Sequence, residues 1–359
     1  MSFFVVWISI ILGCLYYSNS PPLDLSKKLD IIVLRYMSNY SYIIQLFIYN
    51  TTIINPVRLR GDRMNPVRTI ERIIKAPDIH WVGTGFRVRQ YFPDSDESPM
   101  LDRMSPFLLL DYNEPYYFEG SPFDTGDTPH PHKGFETVTF SFSGSIGHKD
   151  AAGNSGVIHS GDVQWMTAAS GVLHKEFHEK EYAKRGRLFH ALQLWINLPE
   201  RHKNDTPAYQ YIPATTMGRY QSLDETIDAI VYTGAFRHIT GPAKSHTPMN
   251  IYKLKLQPNS WISISENMTW NTGFLVINGT GSANGESIES GDFVLFNNDG
   301  ERFEVESGDE GLEIFVLAGE PLNEPVVKQG SFVMTNKTEL ILAYGEYKNG
   351  KFGREEDIM

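Results

Sequence analysis

The sequence predicts an all-β protein that consists of two related β-barrels in tandem, with a short helix near the C-terminus. From residue 86 onward, short apolar or alternating runs are separated by Gly, Pro, Asn and Asp, which is the pattern of an antiparallel sandwich or barrel. A four-residue motif occurs twice, once in each half of this region. One segment near residue 340 has the capping residues and the length expected of a helix.

The strand candidates follow one another closely, and each is a run of apolar or alternating residues that ends near a turn-forming residue. The helix candidate begins near Thr335, where Glu339 could complete a capping box, and continues through Ile341 and Tyr344 to a stop near Gly350. The ten strand candidates are Phe86–Tyr91, Phe107–Asp111, Thr137–Phe142, Gly161–Met166, Leu192–Leu198, Ala229–Tyr232, Ile251–Leu256, Gly273–Ile277, Asp292–Phe296 and Leu312–Leu317.

The repeated motif divides the chain into two similar halves. Ser-Gly-Asp-Val at residues 160–163 and Ser-Gly-Asp-Phe at residues 290–293 each follow a glycine turn and precede an apolar strand. We expect an N-terminal barrel at residues 64–200, a polar, proline-containing linker at 201–221, and a C-terminal barrel at 222–359.

Composition excludes several classes of protein. The 359 residues carry a formal net charge of -11, which argues against bulk nucleic-acid binding because phosphate contacts need concentrated Lys and Arg. A content of 41% hydrophobic and 21% charged residues excludes a disordered chain. The single cysteine, Cys14, cannot form an intrachain disulfide, so the chain needs no oxidising compartment.

Residues 1–63 differ in composition from the rest, because they contain ten Ile and no Ala, Glu or His. The uncharged apolar run Phe3–Tyr17 is shorter than a membrane span of about 20 residues and lacks the basic start of a signal peptide. We favour a mis-assigned start, with translation from Met64 and a cytoplasmic location. The alternative is that residues 1–20 act as an export signal. Mass spectrometry of the natural N-terminus distinguishes the two, because a product that begins before Met64 rejects the first.

Two short motifs place metal-binding side chains at alternating positions. His130 and His132 are two residues apart, and so are His174 and Glu176. In an extended strand this spacing directs both side chains of a pair to one face. If the two strands lie close, three imidazoles and one carboxylate could converge inside the N-terminal barrel and hold one ion. Glu136, four residues after His132, competes with Glu176 for the carboxylate role.

Three imidazoles and one carboxylate without a thiolate suit Fe(II), Mn(II), Ni(II), Cu(II) or Zn(II), and this ligand set alone does not choose among them. An isolated His-x-His pair is more often structural than a metal site, so the combination of the two motifs carries the prediction. None of the 11 histidines follows His246, which is typical of a duplicated scaffold with one functional site. We expect His148, His159, His178 and His190 to be structural or exposed.

Four segments of the N-terminal half form a recognisable set: residues 129–139 (PHPHKGFETVT), 161–168 (GDVQWMTA), 171–176 (GVLHKE) and 192–199 (LQLWINLP). They resemble the pirin family, with a looser match through the C-terminal half. Pirins belong to the cupin superfamily and fold as two face-to-face β-barrels, of which only the first binds a metal, usually iron. The resemblance therefore implies a bicupin fold and places the metal ligands on His130, His132, His174 and Glu176.

The same resemblance implies an activity. Several pirins are similar to quercetin 2,3-dioxygenases, which open the heterocycle of a flavonol with O2 and release carbon monoxide. We expect one Fe(II), a flavonol-like substrate and O2, with Glu176 as the base that takes the 3-hydroxyl proton. The alternative is a metal-binding, redox-sensitive regulatory protein of the transcriptional coregulator type, which would have a protein partner and no turnover. A third hypothesis is a barrel without catalytic activity, in which the metal only stabilises the fold. Neither direct nucleic-acid binding nor stable membrane association is expected.

Overall fold

The computed structural model describes residues 31–38, 41–48 and 66–358. The chain forms two compact units, Met1–Met64 and Asn65–Met359. In the first unit, strands Ile31–Ser38 and Ser41–Ile48 pair as an antiparallel hairpin.

Several of the predictions for the N-terminal region lie outside the described residues. They concern the apolar run Phe3–Tyr17, Cys14, the export signal at residues 1–20 and the start at Met64. Among the residues that the structure does describe, no helix is both long and apolar enough to cross a membrane.

In the second unit the predicted all-β fold with two cupin barrels is confirmed. The N-terminal barrel contains a four-stranded and a seven-stranded antiparallel sheet. In hydrogen-bonding order, the first consists of Ser155–Ile158, Ile146–Asp150, Val172–His178 and His130–His132, and the second of Ala208–Ile212, Val163–Thr167, Phe135–Ser143, Arg187–Asn197, Phe107–Phe118, Phe86–Phe92 and Ile79–Val82.

The C-terminal barrel is built on one nine-stranded sheet, and small hairpins complete the β-structure. All ten predicted strands are found, with somewhat different ends. The sheet contains Gly218–Gln221, Ile227–Thr233, Met249–Leu256, Arg302–Gly319, Asn271–Ala283, Phe293–Phe296 and Ile70–Ile74 in order, with Trp261–Ser265 and Glu286–Glu289 paired to its long strands; the hairpins are Ala235–Phe236 with Ile239–Thr240 and Val327–Gln329 with Phe332–Met334.

The repeated Ser-Gly-Asp motif forms the same turn in both barrels. Gly161 and Gly291 have φ of +90° and +89°, a conformation that favours glycine. The carboxylate of Asp162 accepts from the backbone N–H of His159 at 2.9 Å, and that of Asp292 accepts from Glu289 at 3.0 Å. The equivalent turns support the duplication that the sequence indicated.

The predicted C-terminal helix is confirmed at Lys337–Lys348, and its cap differs slightly from the expectation. The Oδ1 atom of Asn336 accepts from the backbone N–H of Glu339 at 2.9 Å, so Asn336 is the N-cap. Thr335 instead donates its hydroxyl to the Glu339 carboxylate at 2.6 Å. The short helical segments are Met100–Arg103, Lys180–Ala183, Glu200–His202, Ala214–Thr216 and Glu355–Asp357.

Several segments cross the boundaries predicted for the barrels. Strand Ala208–Ile212 falls in the predicted linker, yet it pairs with Val163–Thr167 of the N-terminal barrel. Strand Ile70–Ile74 lies in the range assigned to the N-terminal barrel, yet it pairs with Phe293–Phe296 of the C-terminal sheet. In the opposite direction, Phe332 forms a bridge with Lys133, and the Phe352 carbonyl accepts from the backbone N–H of Leu173 at 2.8 Å. The ranges 64–200, 201–221 and 222–359 stay a proposal for the domain boundaries. Because segments of one range pair with strands of another, these boundaries are not sharp.

The barrels share an apolar core, and this core orients the strands of the N-terminal barrel. Phe140 packs on Tyr232 and Phe315 of the C-terminal barrel, with ring centroids 4.8 and 4.9 Å apart. Because neighbouring residues of a strand point to opposite faces, Thr139 points away from this shared core. Its hydroxyl donates to Glu176. The polar face of this strand therefore lines the interior of the N-terminal barrel.

Candidate metal centre

The structure brings the three predicted histidines together. Strands His130–His132 and Val172–His178 are antiparallel neighbours, and His130 lies directly opposite His174. The Nε2 atoms of these two residues are 2.9 Å apart. One ring nitrogen from each of His130, His132 and His174 lies within 4.8 Å of the others, which is the separation expected of ligands around a single ion.

Two of the three imidazoles are fully buried. Burial first, and the neighbouring His130 second, hold the pKa of His132 and His174 well below its usual range. Both rings are therefore neutral at pH 7 and offer the lone pair that a metal ion requires. Their Nδ1 atoms are buried with no hydrogen-bond partner among the described residues. A concentrated group of buried, incompletely satisfied imidazoles fits a bound divalent ion.

Glu176 shares the strand with His174 but is not one of the groups within 4.8 Å. Its Oε1 accepts from the Thr139 hydroxyl at 3.0 Å and from the Gln164 amide, and its Oε2 accepts from the Gln193 amide at 2.6 Å. The three donors hold the buried carboxylate toward the strands of the seven-stranded sheet. Glu176 as the fourth ligand therefore stays a proposal.

Glu136 lies with a different histidine. The expectation that it points inward assumed one regular strand from His132 onward, but Gly134 has a φ of +86° and separates strand His130–His132 from strand Phe135–Ser143. The ring of Phe135 packs on His132 at 5.0 Å, so its neighbour Glu136 points the other way. Its Oε1 lies 3.0 Å from His246 Nδ1.

The remaining histidines of the N-terminal barrel have other partners. His148 lies beside the cluster, with its ring 5.4 Å from His174, but its Nε2 contacts Asp150 at 3.1 Å. His159 is exposed and contacts Ser145. His178 and His190 are tied to Gly85 and Tyr112, respectively. Burial lowers the pKa of each of these two to about 4, so both are neutral structural side chains.

Aromatic rings form one wall of the cluster. Trp195 lies 5.2 Å from His132 and 4.4 Å from Phe135, measured between ring centroids. The indole Nε1 is buried with no hydrogen-bond partner in the described part of the chain, so it is a donor available to a ligand. Lys328 lies over the indole at 5.9 Å, which places a positive charge on the same side.

Solvent reaches the cluster from the His130 side. The His130 side chain is 27% exposed, whereas His132 and His174 are buried. Two surface clefts of about 470 and 610 Å³ are lined by residues other than the three histidines. A ligand must therefore enter past His130, or the residues around the cluster must move.

The sequence analysis did not identify the residues that hold Glu176. Gln193 interrupts the apolar run Leu192–Leu198, and Gln164 interrupts Val163–Met166. A polar side chain inside an otherwise apolar strand needs a hydrogen-bond partner when it is buried. The two glutamines therefore indicated a buried polar group near these strands. The pairing of Glu136 with His246 had no local signal, because the residues are 110 positions apart.

Family models match both barrels. Residues 85–196 match the model described as Pirin, and residues 251–353 match the model described as Pirin C-terminal cupin domain. A Pseudomonas aeruginosa protein provisionally named as a quercetin 2,3-dioxygenase is 36% identical over 275 residues, which are 77% of this chain and 95% of the relative. Pirin of Homo sapiens is 33% identical over 278 residues, which are 76% of this chain and 90% of that protein.

A solved structure is similar to this chain in both sequence and fold. The crystal structure of quercetin 2,3-dioxygenase from Acinetobacter baumannii is 36% identical in sequence and superimposes with a TM-score of 0.77. The match covers 81% of this chain and all of the other.

Proposed function

The chain belongs to the pirin family, and from this premise we propose that it is a metal-dependent dioxygenase that opens the heterocycle of quercetin-type flavonols with O2. The observation that carries the proposal is the convergence of His130, His132 and His174 next to the buried carboxylate of Glu176. Relatives whose names refer to quercetin 2,3-dioxygenase support the choice of substrate.

The three imidazoles, with Glu176 as a fourth ligand, would hold the ion. We propose Fe(II), with Mn, Ni, Cu or Zn as alternatives. The chemistry supplied by such an ion is Lewis-acid polarisation of the flavonol 3-hydroxyl oxygen and electron exchange with O2. Because His132 and His174 are neutral ligands, the charge of the ion would remain available to balance a substrate oxygen that binds as an anion.

Glu176 is the proposed base for the 3-hydroxyl proton. A carboxylate has about four lone-pair positions, and three are directed at Thr139, Gln164 and Gln193. The fourth position cannot serve the ion and the proton at the same moment, so it would bind the ion in the absence of substrate and accept the proton once the hydroxyl comes within hydrogen-bonding distance. The same three donors fix the orientation of the carboxylate and stabilise its negative charge before transfer.

Trp195 and Phe135 provide the contact for the flat rings of the substrate. Their rings lie close to His132, where offset or edge-to-face packing is favourable. The unpartnered Trp195 Nε1 can donate to a flavonol oxygen. Together these groups would position the heterocycle beside the three imidazoles and exclude water from it.

The test is a turnover assay with defined metal content. The chain is stripped of metal, loaded anaerobically with Fe(II), and given quercetin and O2, while loss of flavonol absorbance and release of carbon monoxide are followed together. His132→Ala should abolish both signals, and His80→Ala, a change at an exposed histidine of strand Ile79–Val82, should leave them unchanged. No turnover with any of the five metals would reject the enzyme, and redox-dependent partner binding would then favour the regulatory alternative.

A further inference from the structure

A second group of potential metal ligands lies outside the three-histidine cluster. His202 ends the helical turn Glu200–His202, which lies between strands Arg187–Asn197 and Ala208–Ile212 of the N-terminal barrel. Asp205 follows this turn, and His246 precedes strand Met249–Leu256 of the C-terminal barrel. One ligand atom from each of the three lies within 4.8 Å of the others. The two imidazole rings are 4.8 Å apart.

Each imidazole of this group has its Nδ1 held by a carboxylate. His202 Nδ1 lies 2.7 Å from Asp205 Oδ2, and His246 Nδ1 lies 3.0 Å from Glu136 Oε1. A carboxylate at this nitrogen keeps the proton there and leaves the lone pair on Nε2, which is how metal-binding histidines are commonly oriented. Asp205 is exposed, so its carboxylate can turn from Nδ1 of His202 toward the ion, and water can then accept the hydrogen bond from Nδ1.

The charge of the surroundings favours a cation. Glu136 is only 1% exposed, its Oε1 also accepts from the Thr167 hydroxyl at 2.7 Å, and its Oε2 is buried without a partner among the described residues. A buried carboxylate that is incompletely satisfied stabilises positive charge nearby.

One neighbouring group must move for the lone pair of His202 to be used. The Arg201 Nε lies 3.1 Å from His202 Nε2. Arg201 is exposed, so its side chain can turn into solvent when an ion takes that nitrogen, at the small cost typical of a surface interaction.

We propose that His202, Asp205 and His246 bind a second divalent ion of the borderline class that includes Zn(II), with Glu136 orienting His246 from behind. Two imidazoles and a carboxylate without a thiolate suit this class of ion. The ion would connect this turn of the N-terminal barrel to a loop of the C-terminal barrel. It would therefore stabilise the arrangement of the two barrels and take no part in turnover.

The experiment is a Zn(II) titration of the metal-free, full chain at pH 8, read as bound equivalents after equilibrium dialysis. Wild type should bind two equivalents, His246→Ala and His132→Ala one each, and the double variant none. In the His132→Ala background, Zn(II) should raise the melting temperature, and adding His246→Ala should remove that increase. His80→Ala is the matched control and should still bind two equivalents.

The outcomes separate this site from the proposed active site. If His132→Ala binds no Zn(II), or if its remaining equivalent survives in the double variant, the second site is overturned while the first is unaffected. If that equivalent depends on His246, the second site stands even when quercetin is not turned over. Asp205→Asn changes an exposed side chain and serves in place of His246→Ala if that variant does not fold; it should weaken binding of the second equivalent at least 10-fold, and unchanged affinity would contradict the proposal.

Discussion

The amide of Gln193 donates to Glu176 Oε2 at 2.6 Å. Gln193 belongs to strand Arg187–Asn197, and Glu176 belongs to strand Val172–His178 of the other sheet. The contact therefore connects the two sheets of the N-terminal barrel across its interior. It also holds the carboxylate of the proposed base inside the barrel, where Glu176 is buried.

Glu176→Gln should reduce flavonol turnover by about 100-fold or more, because the amide cannot accept the proton. The variant should still contain metal, since the three imidazoles remain. It loses an acceptor for one of its three donors, so a loss of stability of about 1–3 kcal/mol is expected. Turnover per bound metal is the measurement, Glu225→Gln at an exposed site is the control, and full turnover in Glu176→Gln would exclude Glu176 as the base.

His132→Ala should abolish metal binding at the three-histidine cluster and leave the barrel folded. The neutral imidazole of His132 contributes no ion pair, so its removal costs ring packing, including the contacts with Phe135 and Trp195. Metal content after loading with Fe(II) and the circular dichroism spectrum give the two readouts. Retention of iron at the wild-type level would refute the ligand assignment.

Phe352→Ala should destabilise the protein by about 3–5 kcal/mol, the range for a buried phenylalanine. The ring is buried against the backbone of Gly171, where a Cβ atom would lie only 2.2 Å from Phe352 Cε1. Urea unfolding measures the loss. Ile341→Ala, at a side chain that is 71% exposed on the same C-terminal segment, should change stability by less than about 0.5 kcal/mol; equal effects of the two changes would contradict this packing.

Glu266→Gln should remove a pH dependence of stability. Burial raises the pKa of Glu266 to about 7, although Tyr252 and Asn250 donate to its carboxylate. The folded state therefore binds the proton more tightly than the unfolded state, so stability present below pH 4.5 is lost as the pH rises through about 7.

The size of this loss is on the order of 3 kcal/mol. Urea unfolding between pH 4 and 8 should show the decline in wild type and a flatter profile in Glu266→Gln. Glu225→Gln is again the exposed control. A slope in Glu266→Gln as steep as in wild type would assign the pH dependence to another group.

The part of the site that follows strand periodicity could be predicted from sequence. His130 with His132, and His174 with Glu176, share a face because strand side chains alternate, and the histidine strands are indeed neighbours. The position of Glu136 was not predictable in this way, because Gly134 interrupts the alternation.

Contacts between distant parts of the chain were also beyond the sequence analysis. The exchange of strand Ile70–Ile74 into the C-terminal sheet and the contact of Phe352 with Leu173 depend on tertiary packing. No local pattern encodes which sheet an edge strand joins. The fold class and the repeat could be predicted from the sequence, because each depends only on the spacing of residues that are close along the chain.

The exchange of segments between the barrels bears on how a duplicated protein can change later. A fragment that stops after the N-terminal barrel would carry Ile70–Ile74 without its pairing partner and would lack the Phe352 segment behind its histidines. Each half therefore depends on a segment of the other half for part of its structure, although each retains the Ser-Gly-Asp turn of the duplicated unit. Gene fission or the transfer of one half to another protein would therefore leave an unpaired strand edge and an uncovered apolar surface in the products.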